Sequence, residues 1–166
     1  MSDEADATSR PAVREARIGD SEEIHALAGE LARTVGDSAP DLEAVRARLS
    51  ELLEEPRAWV LVAEDGGVVG MASLWIKPDL AHGDTVVEVP ALVVAEGSRR
   101  EGVGKLLMEA VRRLGAENEA GLIELIATTQ NAAARKFYRA LGFVETDHVT
   151  LEFVGNMEDP PDPKER

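Results

Sequence analysis

The sequence contains no cysteine, only one tyrosine and three histidines, and 4% aromatic residues. Without cysteine there can be no disulfide framework, no thiolate metal site and no cysteine nucleophile. The histidines, His25, His82 and His148, do not have metal-ligand spacing, so we predict no metal site and expect surface or turn positions for them. No apolar run approaches the roughly 20 residues that a membrane-spanning helix needs.

Basic residues are scarce, with 18 Lys and Arg against 32 Asp and Glu and a net charge of −14. Nucleic-acid binding usually requires a basic face, so we expect no nucleic-acid partner and no membrane partner. The negative charge would attract cationic partners, amines included, although acidity more often serves solubility. Residues 1–6 lack the positive charge and apolar stretch of a signal peptide, so the predicted compartment is the cytoplasm.

With 166 residues, 44% hydrophobic and 30% charged, the chain fits one globular domain with a real core. We predict that this domain covers residues 12–154. The polar ends, residues 1–11 and 155–166, are predicted to be disordered tails because they carry too little apolar surface to order themselves. Exposed strand edges near the C-terminal end of the domain would allow a homodimer.

The spacing of apolar residues predicts an alternation of strands and helices. In chain order, the predicted elements are strand 13–16, a helix from residue 20 or 21, a helix from 41 that stops at 56, strands 59–64, 68–76 and 85–94, helix 104–118, strand 122–127, helix 131–141, and short strands near 143 and at 148–153. Strand 122–127 is continuously apolar, which predicts burial on both faces. This order predicts a mixed α/β domain, antiparallel at the front and parallel where a helix crosses over.

Pro90 lies inside the predicted strand 85–94 and has no N–H to donate to a neighbouring strand. We therefore expect the strand to be bulged or unpaired at this position. Strict alternation of side chains along the strand would place Glu88 on the face opposite Val93.

The segment Arg99-Arg100-Glu101-Gly102-Val103-Gly104-Lys105 joins this strand to an amphipathic helix. Paired glycines at a helix start direct backbone N–H groups and the positive end of the helix dipole at one spot, which can hold a phosphate. A P-loop is excluded because Leu106 follows the lysine, where Ser or Thr is needed. A dinucleotide fingerprint is excluded because Leu107 stands where a glycine is needed.

The remaining pattern, Arg-x-x-Gly-x-Gly at a strand-to-helix junction, resembles the pyrophosphate loop of the GNAT superfamily of N-acetyltransferases. Residues 131–143, from Asn131 through Phe137-Tyr138 to Gly142-Phe143, are similar to the Asn-x-x-Ala-x-x-Phe-Tyr-x-x-x-Gly-Phe signature of that family. The element order agrees over about residues 12–153. The resemblance implies an α/β (α+β) GNAT acyl-CoA N-acyltransferase fold, a mixed, mostly antiparallel sheet of six to seven strands flanked by four helices.

The resemblance implies an acetyl-CoA-dependent N-acetyltransferase in which a primary amine attacks the thioester directly in a ternary complex. Two alternatives stay open: a GNAT-fold module that binds acyl-CoA without turnover, and an unrelated phosphate-binding α/β domain. The acceptor is not identified. A small cationic amine is mildly favoured over a protein amine because the expected acceptor region is acidic. Its carboxylates include Glu30, Asp37, Asp41, Glu43, Asp79 and Asp84.

The resemblance also implies roles for individual residues. The backbone N–H groups that would bind the pyrophosphate of CoA belong to Arg100, Gly102, Val103, Gly104 and Lys105, with added charge from Arg99 and Lys105. In the family, the strand before the loop splays from its neighbour, here 122–127. Val94 would then pair with the pantetheine arm and donate its N–H to the thioester carbonyl. Asn131 is assigned to cofactor binding.

For catalysis, the resemblance assigns Tyr138 as the general acid that protonates the leaving thiolate, with Phe137 packing in the core. Glu88 is the predicted general base, acting directly or through water. Glu124 and the weaker candidate Glu152 compete for that role. This sequence has Glu96 where many family members have a proline three residues before the loop arginine.

Overall fold

The computed structural model describes residues 10–158, so most of both predicted tails, residues 1–9 and 159–166, lies outside the described residues. The described chain divides into two compact units, residues 10–130 and 131–158. The elements are β1 Ala12–Glu15, α1 Ser21–Val35, α2 Leu42–Glu54, β2 Ala58–Glu64, β3 Val68–Asp79, β4 Asp84–Val94, α3 Val103–Glu117, β5 Leu122–Glu124 and α4 Ala132–Ala140. No helix in this part of the chain has the length and apolar character to cross a bilayer. The extent of the domain, residues 12–154, stays a prediction.

The first unit is built on one five-stranded sheet with the order β1-β2-β3-β4-β5. The first four strands pair antiparallel, and β5 pairs parallel to β4 after the crossover through α3. A parallel neighbour needs such a crossover because a short turn cannot return the chain to the same end of the sheet. The predicted mixed, mostly antiparallel sheet with four α-helices is confirmed, with five strands among the described residues instead of six to seven.

Helices pack on both faces of the sheet. Ile24 and Leu27 from α1 join a buried cluster with Met71 of β3. On the preceding residue of β3, a Cβ built on Gly70 would lie 3.1 Å from Val103 Cγ1, at the start of α3. Successive residues of a strand point to opposite faces, so α1 and α3 cover opposite sides of the sheet.

Asp20 joins the start of the sheet to α1. Its two carboxylate oxygens each accept a 2.8 Å hydrogen bond from the Arg14 guanidinium, and one also accepts the Arg17 N–H at 2.7 Å. The same guanidinium reaches Glu64 on β2 at 2.7 Å. The hydrogen bond from Arg14 lowers the pKa of the buried Asp20 carboxyl. At α2 the cap is local, because Asp41 accepts the Ala44 N–H at 2.7 Å.

β4 is bulged around Pro90, as the sequence predicts. Ser73 of β3 lies opposite Ala91 of β4, but Trp75, two residues further along β3, lies opposite Glu88. Three steps along β4 therefore match two steps along β3. One extra residue on one strand of a pair is the definition of a β-bulge.

The bulge corrects the predicted face of Glu88. Ser73 and Trp75 are two residues apart on β3 and share a face, so their partners Ala91 and Glu88 also share it. Val93 follows Ala91 by two residues and joins the cluster under α1. Glu88 and Val93 thus lie on the same face, and the prediction from strict alternation is wrong because it does not count the extra residue.

The predicted strand 122–127 is shorter and more exposed than expected. β5 ends at Glu124 and forms an edge of the five-stranded sheet. Leu122 is 50% exposed and Ile126 is 78% exposed. The prediction that this strand is buried on both faces is therefore wrong. The ladder with β4 stops at Glu88, immediately before the bulge, where Pro90 lacks the N–H that a continuing ladder would use.

The two predicted strands near Phe143 and at 148–153 do not form, and residues 143–154 are irregular. Their alternating side chains, Val149, Leu151 and Phe153, are exposed. An alternating pattern specifies which residues share a face, but a strand also needs a neighbouring backbone to complete its hydrogen bonds. The strand count is the part of the fold prediction that is wrong.

Candidate functional site

The glycine loop forms a cradle of backbone N–H groups at the start of α3. Arg100 and Gly102 have positive φ angles of 65° and 82°. The first hydrogen bond of the helix runs from the Leu106 N–H to the Gly102 carbonyl at 3.0 Å. Within residues 10–158, no hydrogen bond is made by the N–H groups of Arg100, Gly102, Val103, Gly104 and Lys105. Unbonded N–H groups at the positive end of a helix dipole suit a phosphate group.

The end of β4 presents backbone groups on its free side. The Ala95 N–H donates to the Val69 carbonyl at 2.8 Å. Because bonded and non-bonded pairs alternate in an antiparallel ladder, the N–H and carbonyl groups of Val94 and Leu92 point away from β3. β5 pairs with β4 only as far as Glu88 and itself ends at the opposite residue, Glu124, so among the described strands β4 has no neighbour on this side beyond that rung. An extended ligand could pair with this edge, and the residues present therefore fit both the pyrophosphate and the arm of CoA.

Arg99 turns back toward the end of β4. Its Nε donates to the Val94 carbonyl at 3.1 Å, and its Nη2 lies 3.4 Å from Glu30 Oε2 on α1. The same Glu30 oxygen accepts the Glu96 N–H at 3.1 Å. The sequence predicts Glu30 only as a carboxylate of the acceptor region. No local pattern signals its contact with Arg99, which spans more than sixty residues. Lys105 is exposed.

Glu88 lies on the rung of the sheet where β5 ends. Its partner in the register is Trp75 on one side and Glu124 on the other. The Glu88 carboxylate forms an ion pair with Lys77 of β3, and both side chains are partly exposed. The structure thus brings two predicted bases together, while Glu152 lies in the second unit and is exposed. Lys77 and Trp75 were missed because a cross-strand contact leaves no local signal in the sequence.

In the second unit, the start of α4 is capped by Asn131, whose Oδ1 accepts the Ala134 N–H at 3.0 Å. The helix ends in a glycine motif. The Gly142 N–H donates to the Arg139 carbonyl, and the Phe143 N–H donates to the Tyr138 carbonyl, both at 3.0 Å. Gly142 has a φ of 94°, the left-handed conformation that such an ending needs. The predicted helix and its glycine cap are therefore present.

Tyr138 sits between two aromatic rings of the same unit. Its ring centroid lies 5.1 Å from that of Phe137 and 5.5 Å from that of Phe143, both in edge-to-face geometry. Burial raises the pKa of the Tyr138 phenol to about 12. The hydroxyl therefore stays protonated through the neutral range and can act as a donor.

Several acidic residues of the expected acceptor region are already bonded within the protein. Asp79 pairs with His82 at 2.6 Å, and this contact raises the pKa of the imidazole. Five of the six predicted carboxylates have such bonds: Glu30, Asp41, Glu43, Asp79 and Asp84. Part of the negative charge of this region is thus neutralised or used for structure.

Comparison with known proteins assigns the family. The model of the acetyltransferase (GNAT) family matches residues 23–143. The aminoalkylphosphonate N-acetyltransferase of Salmonella typhimurium is 30% identical over 139 residues, which cover 81% of this chain and 85% of that protein. The mycothiol acetyltransferase of Beutenbergia cavernae is 33% identical over 106 residues, 63% of this chain. The match spans only 34% of that longer relative.

The fold comparison agrees with the sequence comparison. The solved structure of AAC(6')-Iy, in complex with the bisubstrate analogue CoA-S-monomethyl-acetylneamine, has a TM-score of 0.76 and 26% identity. The alignment covers 89% of this chain and all of that one. These findings confirm the resemblance and the predicted enzyme class, an acetyl-CoA-dependent acetyltransferase. The chain belongs to the acetyltransferase (GNAT) family.

Proposed function

We propose that the protein transfers the acetyl group of acetyl-CoA to the primary amine of a small molecule, by direct attack in a ternary complex. The observation that carries the proposal is the unbonded N–H cradle at residues 100–105 beside the free edge of β4. The cradle would hold the pyrophosphate of CoA, and the edge would hold its pantetheine arm. Asn131 is proposed to contact the cofactor through its amide nitrogen, because its oxygen already caps α4.

The spacing along β4 separates two tasks that the family resemblance assigns to Val94. At roughly 3.3 Å per residue, Val94 lies roughly 17–20 Å from Glu88 along the strand, and Leu92 roughly 10–13 Å. A general base must act within hydrogen-bond reach of the amine or through water. We therefore assign pairing with the arm to Val94 and the N–H contact to the thioester carbonyl to Leu92, whose N–H points the same way. Glu88 would then act through water.

The proposed chemistry removes two protons from the ammonium nitrogen and returns one proton to the leaving sulfur. A typical amine, with a pKa of about 10, must lose a proton before it attacks the thioester. Glu88, which pairs with Lys77, accepts that proton through water. The amine nitrogen bonds to the acetyl carbon while the carbon–sulfur bond breaks. Tyr138 protonates the departing sulfur, because its phenol is neutral below a pH of about 12. The nitrogen loses its second proton as the amide forms, and that proton restores the Tyr138 phenol through water.

The relatives support a small acceptor. Their names refer to an aminoalkylphosphonate, an aminoglycoside and mycothiol, none of which is a protein. A cationic amine is mildly favoured by the net charge of −14, although several carboxylates of the acceptor region are already bonded. The cytoplasm and a homodimer remain predictions from the sequence alone.

The test is an acetylation screen over a panel of small amines and one lysine peptide, with CoA release as the readout and Tyr138→Phe as the matched variant. We expect turnover of at least one small amine and a loss of at least tenfold in kcat for the variant. Binding of CoA without turnover of any amine would instead support the binding module. Turnover of the peptide alone would contradict the small acceptor.

A further inference from the structure

Glu30 of α1 makes two contacts with the turn that leads into the cofactor loop. Its Oε2 accepts the Glu96 N–H at 3.1 Å and lies 3.4 Å from Arg99 Nη2. The Glu30 side chain is only 23% exposed, although it is a carboxylate on a surface helix. A single oxygen thus holds both ends of the turn 96–99.

Arg99 extends this network to the sheet. Its Nε donates to the Val94 carbonyl at 3.1 Å, one of the groups that point to the free edge of β4. The turn is therefore fixed at its start through the Glu96 backbone and at its end through the Arg99 side chain. The cradle begins at the next residue, Arg100, so the direction of its N–H groups depends on how this turn is held.

We infer that Glu30 is a positioning residue for the cofactor loop, an inference that rests on the proposed role of that loop in CoA binding. Glu30 holds the turn 96–99 against α1 and keeps Arg99 on Val94. The N–H groups of residues 100–105 are thereby aligned before CoA arrives. Glu30 does not itself touch the cofactor, and α1 becomes part of the cofactor site.

A different role for Glu30 predicts the opposite effect on CoA binding. If Glu30 drew Arg99 away from the pyrophosphate, its removal would strengthen CoA binding. If Glu30 positions the turn, its removal weakens binding. The sign of the change in CoA affinity therefore decides between the two.

The experiment measures the dissociation constant of CoA by titration calorimetry for the parent, Glu30→Ala and Glu30→Gln. We expect Glu30→Ala to raise it about fivefold to tenfold, the effect of losing about one ordinary hydrogen bond. Glu30→Gln should recover part of the loss, because its amide oxygen can still accept the Glu96 N–H. Glu22→Ala removes an exposed carboxylate from the same helix and serves as the control, with an unchanged constant.

Kinetics adds a readout that a general loss of structure would not give. For an accepted amine, Glu30→Ala should raise the KM of acetyl-CoA and leave the KM of the amine within about twofold. Arg99→Lys should weaken CoA binding similarly, and the double variant should show little further loss, because both changes break one network. If Glu30→Ala unfolds, Glu30→Gln and Arg99→Lys carry the same test.

Unchanged or tighter CoA binding in Glu30→Ala, or fully additive losses in the double variant, would overturn the inference. This failure differs from that of the proposed function. A parent protein that binds CoA without acetylating any amine contradicts the function, while the affinities still test Glu30. A parent protein that does not bind CoA contradicts both the proposed function and the inference about Glu30.

Discussion

Glu88 and Glu124 lie directly opposite each other on the last rung of the parallel ladder, where β5 ends and β4 continues. Glu88 also has a cationic partner, Lys77, whereas Glu124 is exposed on the edge strand. The two carboxylates lie at the start of the unpaired edge of β4, where the thioester is proposed to bind. Their different surroundings allow the choice of general base to be tested.

We predict that Glu88→Gln lowers kcat/KM for the acceptor amine about 100-fold or more at pH 7, because the amide cannot accept the proton of the ammonium group. Glu124→Gln, which removes the neighbouring charge, should change the same ratio less than about threefold. Steady-state kinetics with one amine measures both. Equal losses, or a larger loss for Glu124→Gln, would contradict the choice of Glu88 and favour Glu124 of the edge strand as the general base.

The raised pKa of Tyr138, about 12, predicts the alkaline side of the rate profile. An ordinary phenol would lose its proton near pH 10, and the general acid would be lost there. Here the neutral form persists, so kcat should show no fall attributable to Tyr138 below a pH of about 11. Profiles of the parent and Tyr138→Phe up to pH 10.5 check this. A decline near pH 10 that is present only in the parent would contradict it.

Asp20→Asn should lower the free energy of unfolding by roughly 2–3 kcal/mol at pH 7, because the Arg14 guanidinium loses its bidentate partner. The pKa of Asp20 is lowered in the folded state. Its contribution is therefore complete above the unfolded value of about 3.9 and disappears as the pH falls through the folded value. Urea unfolding at pH 7 and pH 3 should show a smaller difference between parent and variant at pH 3.

Gly70→Ala should destabilise the first unit by about 1–2 kcal/mol, since overpacking a tight contact has a cost of this size. The added Cβ would lie 3.1 Å from Val103 Cγ1 and 3.2 Å from the Val93 carbonyl oxygen, which is backbone and cannot easily move. Gly19→Ala is the control, because a Cβ there meets no atom within 4 Å. Equal unfolding midpoints for the two variants would show that α3 can move away from the sheet.

The sequence correctly predicted the features that depend on residues close together in the chain. Asp41 at the start of α2, Gly142 after α4 and the missing N–H of Pro90 each act on backbone groups within a few residues. The structure places a cap, a glycine ending and a bulge at these positions. The glycine loop at the start of α3 belongs to the same class, because its geometry depends on neighbouring residues.

Features that depend on distant parts of the chain could not be predicted in this way. The face of Glu88 required the register with β3, and the exposure of Ile126 required knowing that β5 is an edge strand. The alternating pattern at 148–153 predicted which residues share a face, but it contained no information about a partner strand. The contact of Glu30 with Arg99 joins residues 69 positions apart, and no spacing rule connects them.

The bulge at Pro90 sets the phase between the two halves of β4. The half that follows it carries the edge proposed to bind the cofactor, and the half that precedes it carries Glu88. Deleting one residue at the bulge would leave that edge in place but rotate Glu88 to the side of the sheet covered by α3. An insertion or deletion at this point would therefore change which side chain faces the acceptor and would leave the proposed CoA contacts unchanged.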